Sequence, residues 1–115
     1  MKWLLDCDPG VDDFLALNLL APSSAYRDFE ADCLAYVSVN GNCDVETASS
    51  NLALADRLFQ LSAPIYQGRA LPLNKEVRHG FFHGKDGLLG QAQALAELAP
   101  AKTASEYPDL VSRRR

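Results

Sequence analysis

Four carboxylates crowd into one turn near the start of the chain, where residues 6–13 read DCDPGVDD. Two carboxylates about 5 Å apart repel each other by about 3 kcal/mol at an effective dielectric constant of ~20, so the turn needs protonation, wide separation or a cation. A hard cation with oxygen ligands, calcium or magnesium, is the simplest solution. The alternative is that Asp12 or Asp13 only caps the following helix while the other carboxylates face water. The acidic residues of the turn are Asp6, Asp8, Asp12 and Asp13.

The composition predicts one globular domain without nucleic acid or membrane as a partner. The length of 115 residues allows a single core, and 48% apolar with 23% charged residues is a balance typical of soluble proteins. The net charge is −4, and Lys and Arg cluster only at residues 113–115, which argues against nucleic-acid binding. No stretch approaches the about 18 apolar residues of a membrane span.

The three cysteines indicate a reducing environment. Cys7, Cys33 and Cys43 are odd in number and never spaced as C-x-x-C, so they imply neither a disulfide framework nor a zinc site. We therefore expect a cytoplasmic protein. Cys7, in the acidic turn, is expected to be a small buried residue.

The apolar pattern predicts alternating strands and helices. We expect a strand at residues 3–5, a helix after Pro9 and Gly10, a strand at 33–39, a helix at 44–61 and a strand at 65–66. The glycine-rich stretch 68–90 reads as a functional loop, and a last helix is expected at 89–98. The domain would thus span residues 1–100, with a disordered tail at 101–115.

This order of elements predicts an α/β fold with an open, mostly parallel sheet and a Rossmann-like β-α-β-α-β start. In such sheets ligands bind outside the carboxyl ends of the strands. Those ends are here the turn 6–13, NGN at 40–42 and YQG at 66–68. Three polar turns are therefore expected to meet at one edge of the sheet.

Two other readings use the same acidic residues. The strand followed by D-x-D resembles haloacid-dehalogenase-type phosphatases, with Asp6 as nucleophile and Asp8 as acid/base, but Gly10 stands where Thr or Val is expected. A structural calcium loop of the D-x-D-x-D-G kind would need a ligand at the same Gly10. A third alternative is a non-catalytic binding or assembly module.

The turn 6–13 resembles the N-terminal signature Asp-x-Asp-Pro-Gly-x-Asp-Asp of the inosine-uridine type nucleoside hydrolases. Further matches follow in the order of that family: NGN at 40–42, PIYQG at 64–68 with LPL at 71–73, and HGKDGL at 83–88. The resemblance covers about residues 3–90, the first third or so of a complete member. It implies an open α/β fold, one bound calcium ion and hydrolysis of the N-glycosidic bond of small-molecule ribonucleosides.

The resemblance also implies roles for individual residues. Asp8 would ligate calcium and act as general base on the attacking water, and Asp13 would be a second calcium ligand. Asp12 would hold ribose hydroxyls, Asn42 would contact the ribose region, and His83 would lie toward the site on a mobile loop. The alternatives are that Asn42 caps the helix that begins near position 44, and that His83 is an ordinary loop histidine.

The chain departs from the family in several places. Phe14 stands where the family usually has a small residue, and the 21–31 connection looks long. The further calcium ligands and the histidine that complete members draw from later segments have no counterpart before Arg115. We therefore expect an N-terminal, truncated portion of a hydrolase, weakly active or inactive alone, whose unpaired sheet edge favours a homo-oligomer.

Overall fold

Three parallel strands form the sheet in the order β1–β2–β3, with β1 at Trp3–Cys7, β2 at Cys33–Ser38 and β3 at Ile65–Gln67. The structure is a computed structural model that describes residues 1–22, 25–71, 73, 76, 80 and 82–100. The expected disorder of residues 101–115 lies outside that range. The predicted parallel arrangement is confirmed, and all three strands point their carboxyl ends to the same edge.

Four helices connect and follow the strands: α1 at Val11–Leu20, α2 at Arg27–Glu30, α3 at Val45–Phe59 and α4 at Ala92–Leu98. The predicted β-α-β-α-β order is confirmed. Helix α2 was not predicted, because a single turn of four residues is too short to show a helical period. Helix α4 begins later than the expected position 89, since the left-handed backbone of Leu89 and Gly90, with φ of 56° and 79°, cannot continue into a helix.

Helix α3 owes its position to the residue that caps its start and to its apolar stripe. The Asp44 side chain accepts a hydrogen bond from the Thr47 backbone N–H at 2.7 Å and so caps the helix. The alternative that Asn42 is the cap is therefore wrong. The stripe packs against β2 and β3, and the helix ends at Gln60, whose φ is 56°.

The core lies between the sheet and the helices α1 and α3. Tyr36 of β2, Leu17 of α1 and Leu52 of α3 are almost completely buried in one cluster, and Cys7 is buried there as expected. On the other side of the sheet Leu4 is 57% exposed. Parallel sheets normally have both faces covered, so this exposed face is unusual.

A buried carboxyl group joins the connection 21–31 to the rest of the fold. Glu30, at the end of α2, is 1% exposed and accepts a hydrogen bond from the Tyr36 hydroxyl at 2.9 Å. Its carboxyl group also accepts from the Ser62 backbone N–H and hydroxyl. These bonds satisfy a group that would be costly to bury without partners.

Within the parts of the chain that the structure describes, no helix combines the length and the apolar character that a membrane crossing requires.

Candidate active site

The acidic turn occupies the carboxyl end of β1 and the start of α1. Gly10 is the N-cap residue of α1, and no side chain forms a cap hydrogen bond there. The Asp13 carboxylate instead reaches back and accepts a hydrogen bond from the backbone N–H of Asp8 at 2.9 Å. Asp12 is 72% exposed. Neither Asp12 nor Asp13 is thus the N-cap residue of α1, and both lie in its first turn.

The NGN turn after β2 holds Asp8 in place. The backbone N–H of Asn42 donates to Asp8 Oδ2 at 2.6 Å, and Asn42 Nδ2 donates to the Asp8 carbonyl at 3.2 Å. Gly41 lies so close to the Asp8 carboxylate that a Cβ atom there would overlap it. The two neighbouring strand ends thus meet as predicted, and Asp8 has a fixed orientation at their junction.

Asp8 and Asp13 form a close pair of carboxyl groups. Burial raises the pKa of Asp13, the N–H of Asp8 lowers it, and the carboxylates of Asp8 and Asp12 raise it, with a net pKa above the ordinary value. Burial and the neighbouring carboxylates thus disfavour a negative charge on Asp13, and a bound cation would remove that penalty.

The donor set fits part of a calcium site. Among the described hydrogen bonds, Oδ2 is the accepting oxygen in both Asp8 and Asp13, which leaves Oδ1 of each for an ion. Calcium takes about six to eight oxygens, however. No group of three or more His, Cys, Asp or Glu side chains in the described part of the chain is arranged to hold a metal. The two carboxylates would therefore supply only a minority of the ligands that calcium needs.

His83 lies over the same turn. Its Nδ1 accepts a hydrogen bond from the Val11 backbone N–H at 3.1 Å, so the ring proton of the neutral form is on Nε2. That Nε2 lies 3.8 Å from Asp12 Oδ1. Gly10 makes the contact possible, because a Cβ atom there would stand 2.7 Å from His83 Nδ1 and 2.8 Å from Asn42 Nδ2.

All five residues named from the sequence thus meet at the carboxyl edge of the sheet. Asp8 and Asp13 form the carboxyl pair, Asn42 lies against Asp8, and His83 approaches Asp12. The side chain of His83 is 19% exposed, so most of its surface is covered by the protein.

Sequence reasoning missed two residues that build the site. Asn51 of α3 is buried and donates from Nδ2 to the carbonyls of Pro9 and Asp86. The signal was a polar residue three positions after Ala48, on the face of the helix that the apolar stripe assigns to the core. Asp86 stands in the HGKDGL motif, but the sequence alone indicates no role for its side chain.

The Asp86 carboxylate organises the loop that carries His83. It accepts backbone N–H groups of Leu88, Gly90 and Ala92 at 3.0, 2.8 and 3.1 Å. Partial burial raises the pKa of Asp86, but these N–H groups outweigh that effect, and the net pKa is below its ordinary value.

A parallel α/β sheet with a paired-carboxylate turn at its carboxyl edge defines a class of α/β proteins that bind ligands at this edge. A sequence model described as inosine-uridine preferring nucleoside hydrolase matches residues 3–113. The chain belongs to this family. Membership of this family argues against the phosphatase interpretation, in which Asp6 would be the nucleophile. The acidic turn is also not a D-x-D-x-D-G calcium loop, because Gly10 is the N-cap residue of α1 and has no side chain to offer as a ligand.

Individual relatives agree with the family assignment. An inosine-uridine preferring nucleoside hydrolase of Leishmania major is 36% identical over 89 residues, which are 76% of this chain and 27% of that protein. A non-specific ribonucleoside hydrolase RihC of Salmonella agona is 33% identical over 105 residues, 84% of this chain and 32% of the relative.

A solved structure of an inosine-guanosine nucleoside hydrolase superposes with a TM-score of 0.62 and 27% identity. The alignment covers 90% of this chain and 32% of that one. The chain thus spans about a third of the length of the relatives that it matches.

Proposed function

We propose that this chain provides the N-terminal part of the site of a calcium-dependent hydrolase that cleaves the N-glycosidic bond of ribonucleosides. The observation that carries the proposal is the fixed pair of Asp8 and Asp13 at the carboxyl edge of the sheet, beside Asp12 and His83. The names of the relatives support ribonucleosides as the substrate class. Because those names differ in the base, they support no particular base here.

Asp8 and Asp13 would hold the calcium ion through their carboxylates. When bound, the ion would supply positive charge that favours deprotonation of water. Asp8 would accept the proton of the attacking water, and the N–H of Asn42 keeps its carboxylate in the orientation for that transfer. The negative charge of the turn would stabilise the positive charge that develops on the ribosyl group in the transition state.

The remaining residues would bind the ribose. Asp12 is exposed at the start of α1, where its carboxylate can accept hydrogen bonds from sugar hydroxyls. His83 Nε2 carries a proton and faces Asp12, so it can donate to the substrate on the same side. Asn42 lies next to Asp8 and would contact the ribose region, although its Nδ2 already donates to a backbone carbonyl.

We further propose that the 115-residue chain alone is a weak or inactive catalyst. Two carboxylates are too few to fill the coordination shell of calcium, so affinity for the ion and for the transition state should both be low. The free thiols of Cys7, Cys33 and Cys43 support a reducing cytoplasm as its location, and the net charge of −4 argues against nucleic acid as a partner.

The test compares the binding of calcium by three variants with equal charge changes. Isothermal titration with calcium chloride should show that Asp8→Asn and Asp13→Asn each lower the affinity by about tenfold or more, since each removes one charged ligand. Asp6→Asn is the matched control, because Asp6 is exposed two residues away in β1 and should leave the affinity within about twofold. Equal losses in all three variants would mean a general charge effect and would refute the site.

Release of ribose tests the catalytic part of the proposal. With inosine or uridine and calcium, the chain alone should stay far below the turnover of roughly 1–1000 per second of ordinary enzymes. Slow release that Asp8→Asn abolishes would support hydrolysis by this site. Turnover in the ordinary range would contradict the proposal that the chain alone is a weak catalyst.

A further inference from the structure

We propose that Asn51 is a positioning residue that joins the acidic turn to the loop carrying His83 by hydrogen bonds and thereby fixes the position of the His83 ring. The inference rests on the proposed function only in assigning His83 to the site. The positioning itself stands on hydrogen bonds of the described residues. Asn51 comes from α3, which carries none of the residues named for catalysis, metal binding or ribose binding.

The amide of Asn51 joins two segments that are far apart in sequence. Its Nδ2 donates to the Pro9 carbonyl at 2.9 Å and to the Asp86 carbonyl at 2.8 Å. Pro9 follows Asp8 directly, and Asp86 lies three residues after His83. Since the carboxamide nitrogen has two protons, these two bonds use its full donor capacity.

Asn51 is closely packed between the turn and the loop. Asn51 is 3% exposed, and Pro9 is fully buried. Gly87 lies against the amide, where an added Cβ atom would stand 2.8 Å from Asn51 Nδ2 and 3.2 Å from the Pro9 carbonyl oxygen. Gly87 also has a φ of 74°, a conformation that glycine adopts without strain. Turn, helix and loop therefore meet through one side chain.

Hydrogen bonds within the loop connect the anchored Asp86 to His83. The Asp86 carboxylate fixes the residues after it, and the Leu89 backbone N–H donates to the His83 carbonyl at 2.8 Å. His83 is then held from two sides, by its carbonyl in the loop and by the Val11 N–H at Nδ1. If Asn51 loses its donors, the loop loses its bond to α3, and the ring of His83 should leave its place over the turn.

The experiment reads the position of His83 directly, by nuclear magnetic resonance of the isotope-labelled 115-residue chain without calcium or nucleoside. In the native chain the ring should be one tautomer, protonated on Nε2, with a scalar coupling across the hydrogen bond from the Val11 N–H to Nδ1. In Asn51→Leu, which keeps the size and removes the donors, we expect loss of that coupling and mixing of the two tautomers. Failure of calcium binding or of hydrolysis would leave this readout unchanged, so the two proposals are tested separately.

Leu52→Val is the matched control, because it removes one methylene from the core at the next position of the same helix. It should lower stability by about 1 kcal/mol and retain the His83 signature. If Leu52→Val loses the signature as Asn51→Leu does, or if Asn51→Leu keeps it, Asn51 is only a structural residue and the proposal fails.

Two further measurements cover the case in which Asn51→Leu does not fold. Asn51→Ser keeps a single hydroxyl donor and should still lose the His83 coupling, since one donor cannot serve two carbonyls. In the native chain, couplings from Asn51 Nδ2 to the carbonyl carbons of Pro9 and Asp86 should both be observed. Absence of either coupling would overturn the proposal.

Discussion

Gly41 lies directly against the carboxylate of Asp8, and a side chain at position 41 would occupy the place of Asp8 Oδ2. We therefore predict that Gly41→Ala displaces the Asp8 carboxylate and breaks its hydrogen bond with the Asn42 N–H. The amide proton of Asn42 should move strongly upfield in the nuclear magnetic resonance spectrum. Calcium affinity should fall by about tenfold or more, as for loss of a charged ligand.

Gly80→Ala is the control for this substitution. Among the residues that the structure describes, none has an atom within 4 Å of a Cβ atom at position 80, so the same chemical change should leave the Asn42 amide and the affinity for calcium as they are. An unshifted Asn42 signal in Gly41→Ala would show that Asp8 has room to move and would contradict the prediction.

The hydroxyl of Tyr36 stabilises the fold through the buried Glu30. Burial and the hydrogen bond to Glu30 raise the pKa of Tyr36, which keeps the hydroxyl protonated as a donor. Tyr36→Phe should lower the free energy of unfolding by about 1.5 kcal/mol or more, because it removes one donor from a buried carboxyl group. Urea denaturation measures the change.

Tyr66→Phe provides the comparison for Tyr36→Phe. Tyr66 lies in the neighbouring strand β3 and is half-buried, and no described residue forms a hydrogen bond with its hydroxyl. Its loss should change the stability by less than about 0.5 kcal/mol. Equal effects of the two substitutions would show that the bond to Glu30 contributes little.

Much of this architecture was predictable because its signals are local. The alternation of strands and helices and the parallel sheet, whose strands end at one edge, follow from the apolar runs and from the rules for crossover connections, which few topologies satisfy. Asp8 and Asp13 were identified because charge repulsion makes a dense acidic turn conspicuous in sequence. Even Cys7 could be placed in the core, as a small residue beside a buried strand.

Other features depend on contacts between distant segments. Asn51 and Asp86 form hydrogen bonds with backbone carbonyl and N–H groups. Because nearly every residue type carries these groups, the partners cannot be identified from the sequence. The roles of Gly10 and Gly41 likewise depend on which side chains approach them in the folded chain. A glycine after a strand indicates a turn, but the sequence does not show which side chain packs against the glycine in the folded chain.

The exposed face of the sheet should mediate self-association. Leu4 is 57% exposed on the side away from the core, where parallel sheets are usually covered. Sedimentation velocity should show concentration-dependent dimers or larger species, which Leu4→Lys reduces by placing a charge on the edge strand β1.

Leu98→Lys is the control for Leu4→Lys, because Leu98 is 77% exposed but lies at the end of α4. A monomer at all concentrations, or equal effects of both substitutions, would contradict a role for this sheet face.

The loop that carries His83 should lose stability in acid because of Asp86. Backbone N–H groups hold its pKa below the ordinary value of 3.8 against the effect of burial, so the folded state binds the proton less readily than the unfolded chain. This stabilisation is complete above pH 3.8 and disappears as the pH falls through the lower, folded pKa. Asp86→Asn should therefore lower the free energy of unfolding at neutral pH, and this difference from the native chain should become smaller as the pH falls below 3.8.

Hydrogen exchange of the Leu88 and Gly90 amides should accelerate first, while the Leu52 amide in α3 stays protected. A difference between native and variant chains that is the same at every pH would show that the charge of Asp86 does not hold the loop.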